Sequence, residues 1–267
     1  PSGGGHGGGK APGKAAAKGA GATKPSGTEQ APASGGAGRG ALPTLLSQGG
    51  VTVQGRLVRA GGVPTYELLL TNGTGTPLDG LMLQTNRSSF GVAPANVVLP
   101  VAPIPSGGSQ RVSVPMTVDA AKLAPGPAMP KLELAMKTNQ AGVLYFTDDV
   151  PLGALLQDDG AIEGAAFLSM WRSLPPEQAS KLPLAVSDIE AAKAALTAAN
   201  LFVLAHRPVP GTPQQALYLT GRVQGVSAQL LLEIRLVPGA PGLDVSFKSE
   251  RSDLASMAFA AVAAALA

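Results

Sequence analysis

From Leu42 to Leu144 the chain keeps one rhythm. Short runs bearing apolar residues are broken by Gly, Pro or Asn about every ten residues. Runs that short cannot bury the stripe of a helix, and breaks that frequent leave no room for the crossover helices of a parallel sheet. The spacing predicts strands over Val51–Arg59, Tyr66–Thr71, Leu81–Thr85, Asn96–Val101, Arg111–Val118, Lys131–Thr138 and Val143–Phe146, with Asn72-Gly73-Thr74-Gly75 as a turn. Several short strands joined by turns imply an antiparallel β-sandwich.

After Pro151 the texture changes. Glu163–Arg172 reads as a helix. Ser187-Asp188-Ile189-Glu190 has the S-x-x-E form of a capping box, which starts a helix that runs to Ala199 and stops at Asn200. Strand-like runs follow at Leu201–His206, Ala216–Val223, Gln229–Val237 and Leu243–Lys248. A last Ala-rich helix starts after Ser252 or Asp253 and runs toward Ala267. Helices mixed with consecutive strands indicate an α+β layer, with a boundary near residue 150.

Composition closes off several functions. The chain has 267 residues, no Cys and two His, which excludes a disulfide framework, a thiolate metal site, a Cys nucleophile and a multi-His centre. No apolar run reaches the roughly 18 residues of a membrane span. The first 40 residues hold 14 of the 35 Gly, and Lys10, Lys14, Lys18, Lys24 and Arg39 stand there against Glu29 alone. That segment has almost no apolar surface to bury and reads as a flexible linker. The rest carries 15 basic and 16 acidic residues, a balance that argues against a nucleic-acid-binding fold. A linker at the start, without Met, suggests a piece of a longer chain.

Catalytic patterns are missing. Gly4 to Lys10 nearly fits a phosphate loop, but Ala11 stands where Ser or Thr is needed and no strand precedes it. Gly-x-Ser-x-Gly is absent. Asp148-Asp149 and Asp158-Asp159 read as turn carboxylates facing water. Asn72 and Asn86 head glycosylation sequons that are expected to stay unmodified, and His206 reads as a structural or surface side chain. No cofactor or metal is expected, and nothing supplies a nucleophile with its base.

One constellation stands out. Alternation along Gln229–Leu236 puts Leu230, Leu232, Ile234 and Leu236 on one face and Glu233 and Arg235 on the other. With Leu217 and Leu219 inward, Tyr218, Thr220 and Arg222 point outward. Trp171, the only Trp, ends a predicted helix beside Arg172. On the plain reading the indole is core and the charges are a solvated sheet face. On the sharper reading Trp, Tyr and Arg meet in a shallow groove, and those types dominate protein-binding hot spots.

Five runs carry a resemblance. Gln84–Pro94 (QTNRSSFGVAP), Leu144–Leu152 (LYFTDDVPL), Phe167–Pro175 (FLSMWRSLP), Leu217-Tyr218 and Leu232–Gly239 (LEIRLVPG) resemble, in order over roughly 45–265, the appendage of the large β subunit of clathrin adaptor complexes. The resemblance implies an immunoglobulin-like β-sandwich over 42–150 followed by an α/β platform over 151–267, with 1–41 as the end of a disordered hinge. It implies no enzyme, but a module that binds clathrin and accessory or cargo-adaptor proteins during coated-vesicle formation, tied by the hinge to the rest of the adaptor heterotetramer and touching membrane only through the coat. Trp171, Arg172, Arg207, Tyr218, Glu233 and Arg235 fall on the family's platform groove, and Tyr145 on its sandwich peptide site. The sequence departs from the family where Ala179 replaces a groove acid, with Glu177 nearby, and where Arg172 and His206 replace Lys. An aromatic between Gly225 and Glu233 is missing. No clathrin-box pattern occurs in 1–42; a box, if the protein has one, is expected upstream. The rival from another class is a two-domain hydrolase with an immunoglobulin-like accessory module, which would need convergent carboxylates or a nucleophile in a deep pocket.

Overall fold

The structure, a computed structural model, describes residues 41–122 and 130–267. The segment expected as hinge, 1–41, lies outside these apart from Ala41.

Two antiparallel sheets come first. One takes the order β1 (Thr44–Gln48), β2 (Val51–Ala60), β3 (Val63–Asn72), β6 (Ser109–Val118), β5 (Val92–Pro94). The other has β4 (Met82–Ser88), β7 (Lys131–Thr138) and β8 (Gly142–Asp149). Period-two alternation builds both. Val51, Val53 and Leu57 on β2 and Leu132, Leu134 and Met136 on β7 are buried, and all belong to one apolar core. Tyr66 on β3 reaches across and donates from its hydroxyl to Asp148 Oδ2 on β8 at 2.7 Å. Gly91, between β4 and β5, has φ +64°, and a Cβ there would lie 2.0 Å from the Asp119 carbonyl oxygen, so no other residue fits that step.

The second layer has α1 (Gly164–Ser173), β9 (Gln178–Ala185), α2 (Ile189–Ala198), β10 (Phe202–Pro208), β11 (Gln215–Val223), β12 (Ala228–Leu236), β13 (Pro241–Lys248) and α3 (Ala255–Leu266). Its strands pair antiparallel in the order β10-β11-β12-β13-β9. One face packs beneath α2 and α3: Leu217, Leu219, Leu230, Leu232, Ile234, Val245 and Phe247 are buried with Ala192, Leu196, Ala258 and Val262. Each such Leu or Ile contributes about 1.5–3 kcal/mol by leaving water. The core runs unbroken from sandwich to platform through Leu152, Leu155 and Leu156. Leu156 bridges to Val223, and the Gln224 amide donates to the Leu155 carbonyl at 2.9 Å.

The structure corrects the sequence reading in places. Asn96–Val101 is no strand: only Val98 forms a bridge, to Met82, and the Val98 amide turns back to Asn96 Oδ1 at 3.0 Å. Pro100 leaves that segment short of a donor. Three strands were not expected, β1, β5 and β9, and all three are sheet edges. The cap of α2 is Asp188 rather than Ser187, since Asp188 Oδ1 accepts from the Ala191 amide at 3.0 Å. The stop at Asn200 holds: its φ is 60°, and amide bonds from Asn200 to Thr197 and from Leu201 to Leu196 close a Schellman motif.

Candidate functional site

The platform sheet face opposite α2 and α3 is a lattice whose rows follow from register. Ala205, Tyr218, Glu233, Ser246 and Ala179 stand opposite one another in turn across five strands. The next row, two residues along, holds Arg207, Ala216, Arg235, Asp244 and Lys181. On the other side lie Thr220, Leu231 and Lys248. Side chains in a row share a face because strand residues alternate.

Helix α1 covers the third row. Phe167, 4% exposed, stacks on Trp171 one turn later with centroids 5.4 Å apart, and meets Tyr218 edge-on at 6.0 Å. Lys248 Nζ donates to the Trp171 carbonyl at 2.8 Å and stands 5.4 Å from the indole centroid. A cation there complements both the last carbonyls of α1 and the ring face. Trp171 is thereby held half-buried with one side open. Tyr218 is also half-buried, and Arg172 and Arg207 are exposed. Phe167 and Lys248 were not singled out from sequence. The i, i+4 spacing of Phe167 and Trp171 carried a signal; nothing marked Lys248.

Charge is concentrated along this gutter. Arg235 Nε donates to Glu233 Oε1 at 2.9 Å, and the Glu233 side chain is 10% exposed against 50% for Arg235. Hydrogen bonding to Glu233 is the main reason the Arg235 guanidinium holds its proton more tightly than usual; Glu177 adds to that from β9's end. Burial pushes the Tyr218 phenol up, and the neighbouring Glu233 carboxylate pushes it further, while Arg235 and Arg207 oppose. Ala179 is exposed at the end of the Tyr218 row.

The gutter is open surface. Two cavities lie away from it: one of about 460 Å³ between β4 and β5, lined by Gln84–Ser88 and Gly91–Pro94, and one of about 430 Å³ at the C-terminal end of α2 beside Arg59 and Asp158. Among the described residues no group of three His, Cys, Asp or Glu is placed to hold a metal, and no helix is long and apolar enough to cross a membrane.

Several sequence expectations move. Thr220 lies on the gutter face but is fully buried, donating to the Gly160 carbonyl at 3.2 Å. Arg222 is drawn away to Gln157 and Asp159. Asp148 is not a water-facing turn carboxylate: burial raises its pKa, with the Tyr66 hydrogen bond opposing. Asn72 is 0% exposed, its amide donating to the Thr76 and Ile104 carbonyls, so its sequon is closed to a glycosylating enzyme. Tyr145 stands on β8, 65% exposed, opposite Ala135, with Val143 on the same face 48% exposed.

Comparison with known proteins fits this geometry into a family. The model of the Beta2-adaptin appendage, C-terminal sub-domain, matches residues 157–266. The AP-1 complex subunit beta-1 of Rattus norvegicus is 30% identical over 211 residues, covering 78% of this chain and 21% of that protein. That of Homo sapiens is 29% identical over 227 residues, covering 82% and 23%. The AP-1 complex subunit beta of Dictyostelium discoideum is 25% identical over 189 residues, covering 69% and 20%. The chain thus spans about a fifth of the length of these relatives. Among solved structures, the secreted serine protease VesC from Vibrio cholerae overlaps at 16% identity over 77% of this chain and 47% of its own, with a TM-score of 0.29, which carries no argument. A sandwich joined to an α/β platform, a family match over that platform and relatives spanning both together place the chain among the β-adaptin appendages, the appendage family of clathrin-adaptor β subunits.

Proposed function

We propose that the platform gutter binds short amphipathic helices from accessory and cargo-adaptor proteins during clathrin-coat assembly. The observation that carries this is that two half-open aromatics, Trp171 on α1 and Tyr218 on the sheet, joined through Phe167, border the Glu233–Arg235 ion pair on the part of the sheet face that α1 leaves uncovered. A helix lays an apolar stripe into a groove and presents charges at the rim. Trp171 and Tyr218 form the apolar floor at low entropic cost. Arg172, Arg207 and Arg235 take ligand carboxylates as charge-assisted hydrogen bonds. So small a surface gives weak single contacts, on the order of micromolar. Many appendages on one coat multiply that by avidity, which keeps assembly reversible.

In this reading Tyr145 centres a second peptide site on the sandwich, clathrin is among the partners, and the protein acts on coated vesicles or pits, meeting membrane only through the coat. Residues 42–150 and 151–267 serve as sandwich and platform, with 1–41 as hinge to the rest of the adaptor complex. Titrating wild type and Tyr218→Ala with an amphipathic helical peptide tests the proposal. Tyr218→Ala is expected to weaken binding at least about tenfold, a loss of roughly 1.4 kcal/mol. Equal affinities would sink the assignment.

A further inference from the structure

The row holding Arg235 does not end there. It continues through Asp244 on β13 to Lys181 on the edge strand β9, so that Arg207, Arg235 and Lys181 stand on alternate strands β10, β12 and β9 of one register line. The floor row beside it ends in small side chains, Ser246 and Ala179, and Ala179 is exposed. Where the aromatic floor stops, the gutter therefore stays open as far as β9.

The three cations have a measurable spacing. Adjacent strands lie about 4.8 Å apart, so cations on alternate strands are about 9.5 Å apart along the gutter. A ligand helix lying across the strands rises about 1.5 Å per residue, and seven residues cover about 10.5 Å while returning to the same face. The course of α1 shows that a helix can lie this way: Phe167 meets Tyr218 on β11 and Trp171 meets Lys248 on β13. Lys181 is available for a ligand. Among the described residues it pairs with Asp244 at 3.7 Å, which joins side chains 71% and 54% exposed, and pairs of that kind are worth little.

We infer that Lys181 is a further ligand-reading residue of the platform, and that the gutter takes a helix whose acidic side chains recur every seven residues, opposite Arg207, Arg235 and Lys181. This rests on the groove reading proposed above. Ala179 suits it, because this exposed position two residues from Lys181 on the same face carries no carboxylate to repel an acidic ligand stripe.

The test uses two helix-stabilised peptide probes of equal composition. In one, three Glu recur at heptad spacing beside a Phe/Leu stripe. In the other, the last Glu is moved two residues, off that face. Each is titrated against the whole chain as wild type, Lys181→Glu and Tyr218→Ala, at low salt. Lys181 is exposed, and circular dichroism checks that its variant folds. Lys181→Glu is expected to weaken the heptad probe about fivefold or more and to leave the shifted probe within about twofold. Exchanging the last Glu of the heptad probe for Lys is expected to restore binding to Lys181→Glu. If Lys181→Glu binds the heptad probe like wild type while Tyr218→Ala does not, the role of Lys181 falls and the groove stands. If Tyr218→Ala also binds like wild type, the groove reading itself falls. Failure of wild type to bind the heptad probe, or preference for the shifted one, overturns the seven-residue spacing.

Discussion

Tyr218 and Glu233 stand directly opposite each other on β11 and β12, and the Glu233 carboxylate also accepts from the Arg235 guanidinium two residues along its own strand. One nearly buried acid thus fixes a cation at the gutter's rim while lying against a phenol on its floor. Holding a rotamer-rich Arg in place before a ligand arrives removes part of the entropy that binding would otherwise cost. On the proposed function, Glu233 orients Arg235 rather than waiting for a ligand cation.

Glu233→Gln tests that role. The amide keeps the shape but loses the charge that anchors Arg235, so an acidic helical peptide should bind about three- to tenfold more weakly, although a ligand-repelling negative charge has been removed. Tyr218→Phe, which deletes only the hydroxyl facing Glu233, should cost less. Calorimetric titration separates the outcomes: tighter binding to Glu233→Gln would mean that the carboxylate only repels acidic ligands.

Phe167 supports the site from beneath. It fills the space between Trp171 and Tyr218 without facing solvent. Phe167→Ala should destabilise the protein by about 3 kcal/mol, near the low end for buried Phe because α1 can settle onto the sheet. At about 2–4 °C per kcal/mol for a unit of this size, the melting temperature should fall by about 6–12 °C. Peptide binding should weaken as well, since Trp171 loses its backing. An unchanged melting temperature would show that α1 contributes nothing to the cooperative unit.

Much of this arrangement was legible in the sequence. Period-two alternation put Tyr218 and Glu233 on the gutter face of β11 and β12, because a strand buried on one side cannot slip without turning its Leu residues outward. Asn200 as a helix stop was legible because Asn tolerates the left-handed backbone that a C-terminal cap needs. What escaped was decided by partners distant in the chain. Edge strands β1 and β9 alternate weakly, and β9 carries Pro183, which only an edge tolerates. Whether Thr220 is open depends on Gly160, and Asp148 is half-buried with Tyr66 across from it in the other sheet. The register of β13 on β9, which brings Lys181 into line with Arg235, is a long-range pairing that no local pattern announces.

The Tyr66–Asp148 pair predicts a pH dependence. Burial raises the Asp148 pKa above its ordinary value of 3.8, so the folded state holds that proton more tightly than the unfolded chain does. The contribution is fully present below the unfolded pKa and is lost as pH rises through the folded one. Asp148→Asn keeps an acceptor for the Tyr66 hydroxyl but cannot ionise. Its stability relative to wild type should therefore grow as pH is raised from about 4 toward neutrality and then level off. Urea denaturation across that range measures the difference. A gap that is flat with pH, or that narrows, would show that the carboxylate is not desolvated.

Tyr145 and Tyr218 offer the sharpest separation of functions. They sit on different sheets, β8 in the sandwich and β11 in the platform. Tyr145 is 65% exposed, so Tyr145→Ala should leave stability within about 0.5 kcal/mol of wild type. The stability effects of the two substitutions should add within about 0.5 kcal/mol. For a helical peptide in the platform gutter, Tyr218→Ala should cost at least about tenfold, while Tyr145→Ala should cost nothing measurable, and the double variant should match Tyr218→Ala. With partner proteins held by both sites, each single substitution should lower avidity, and the pair should lower it by more than either, because a bivalent ligand loses the effective concentration supplied by its second contact. If Tyr145→Ala weakened the isolated helical peptide as much as Tyr218→Ala does, the two tyrosines would belong to a single site, and the division of partners between sandwich and platform would have to be abandoned.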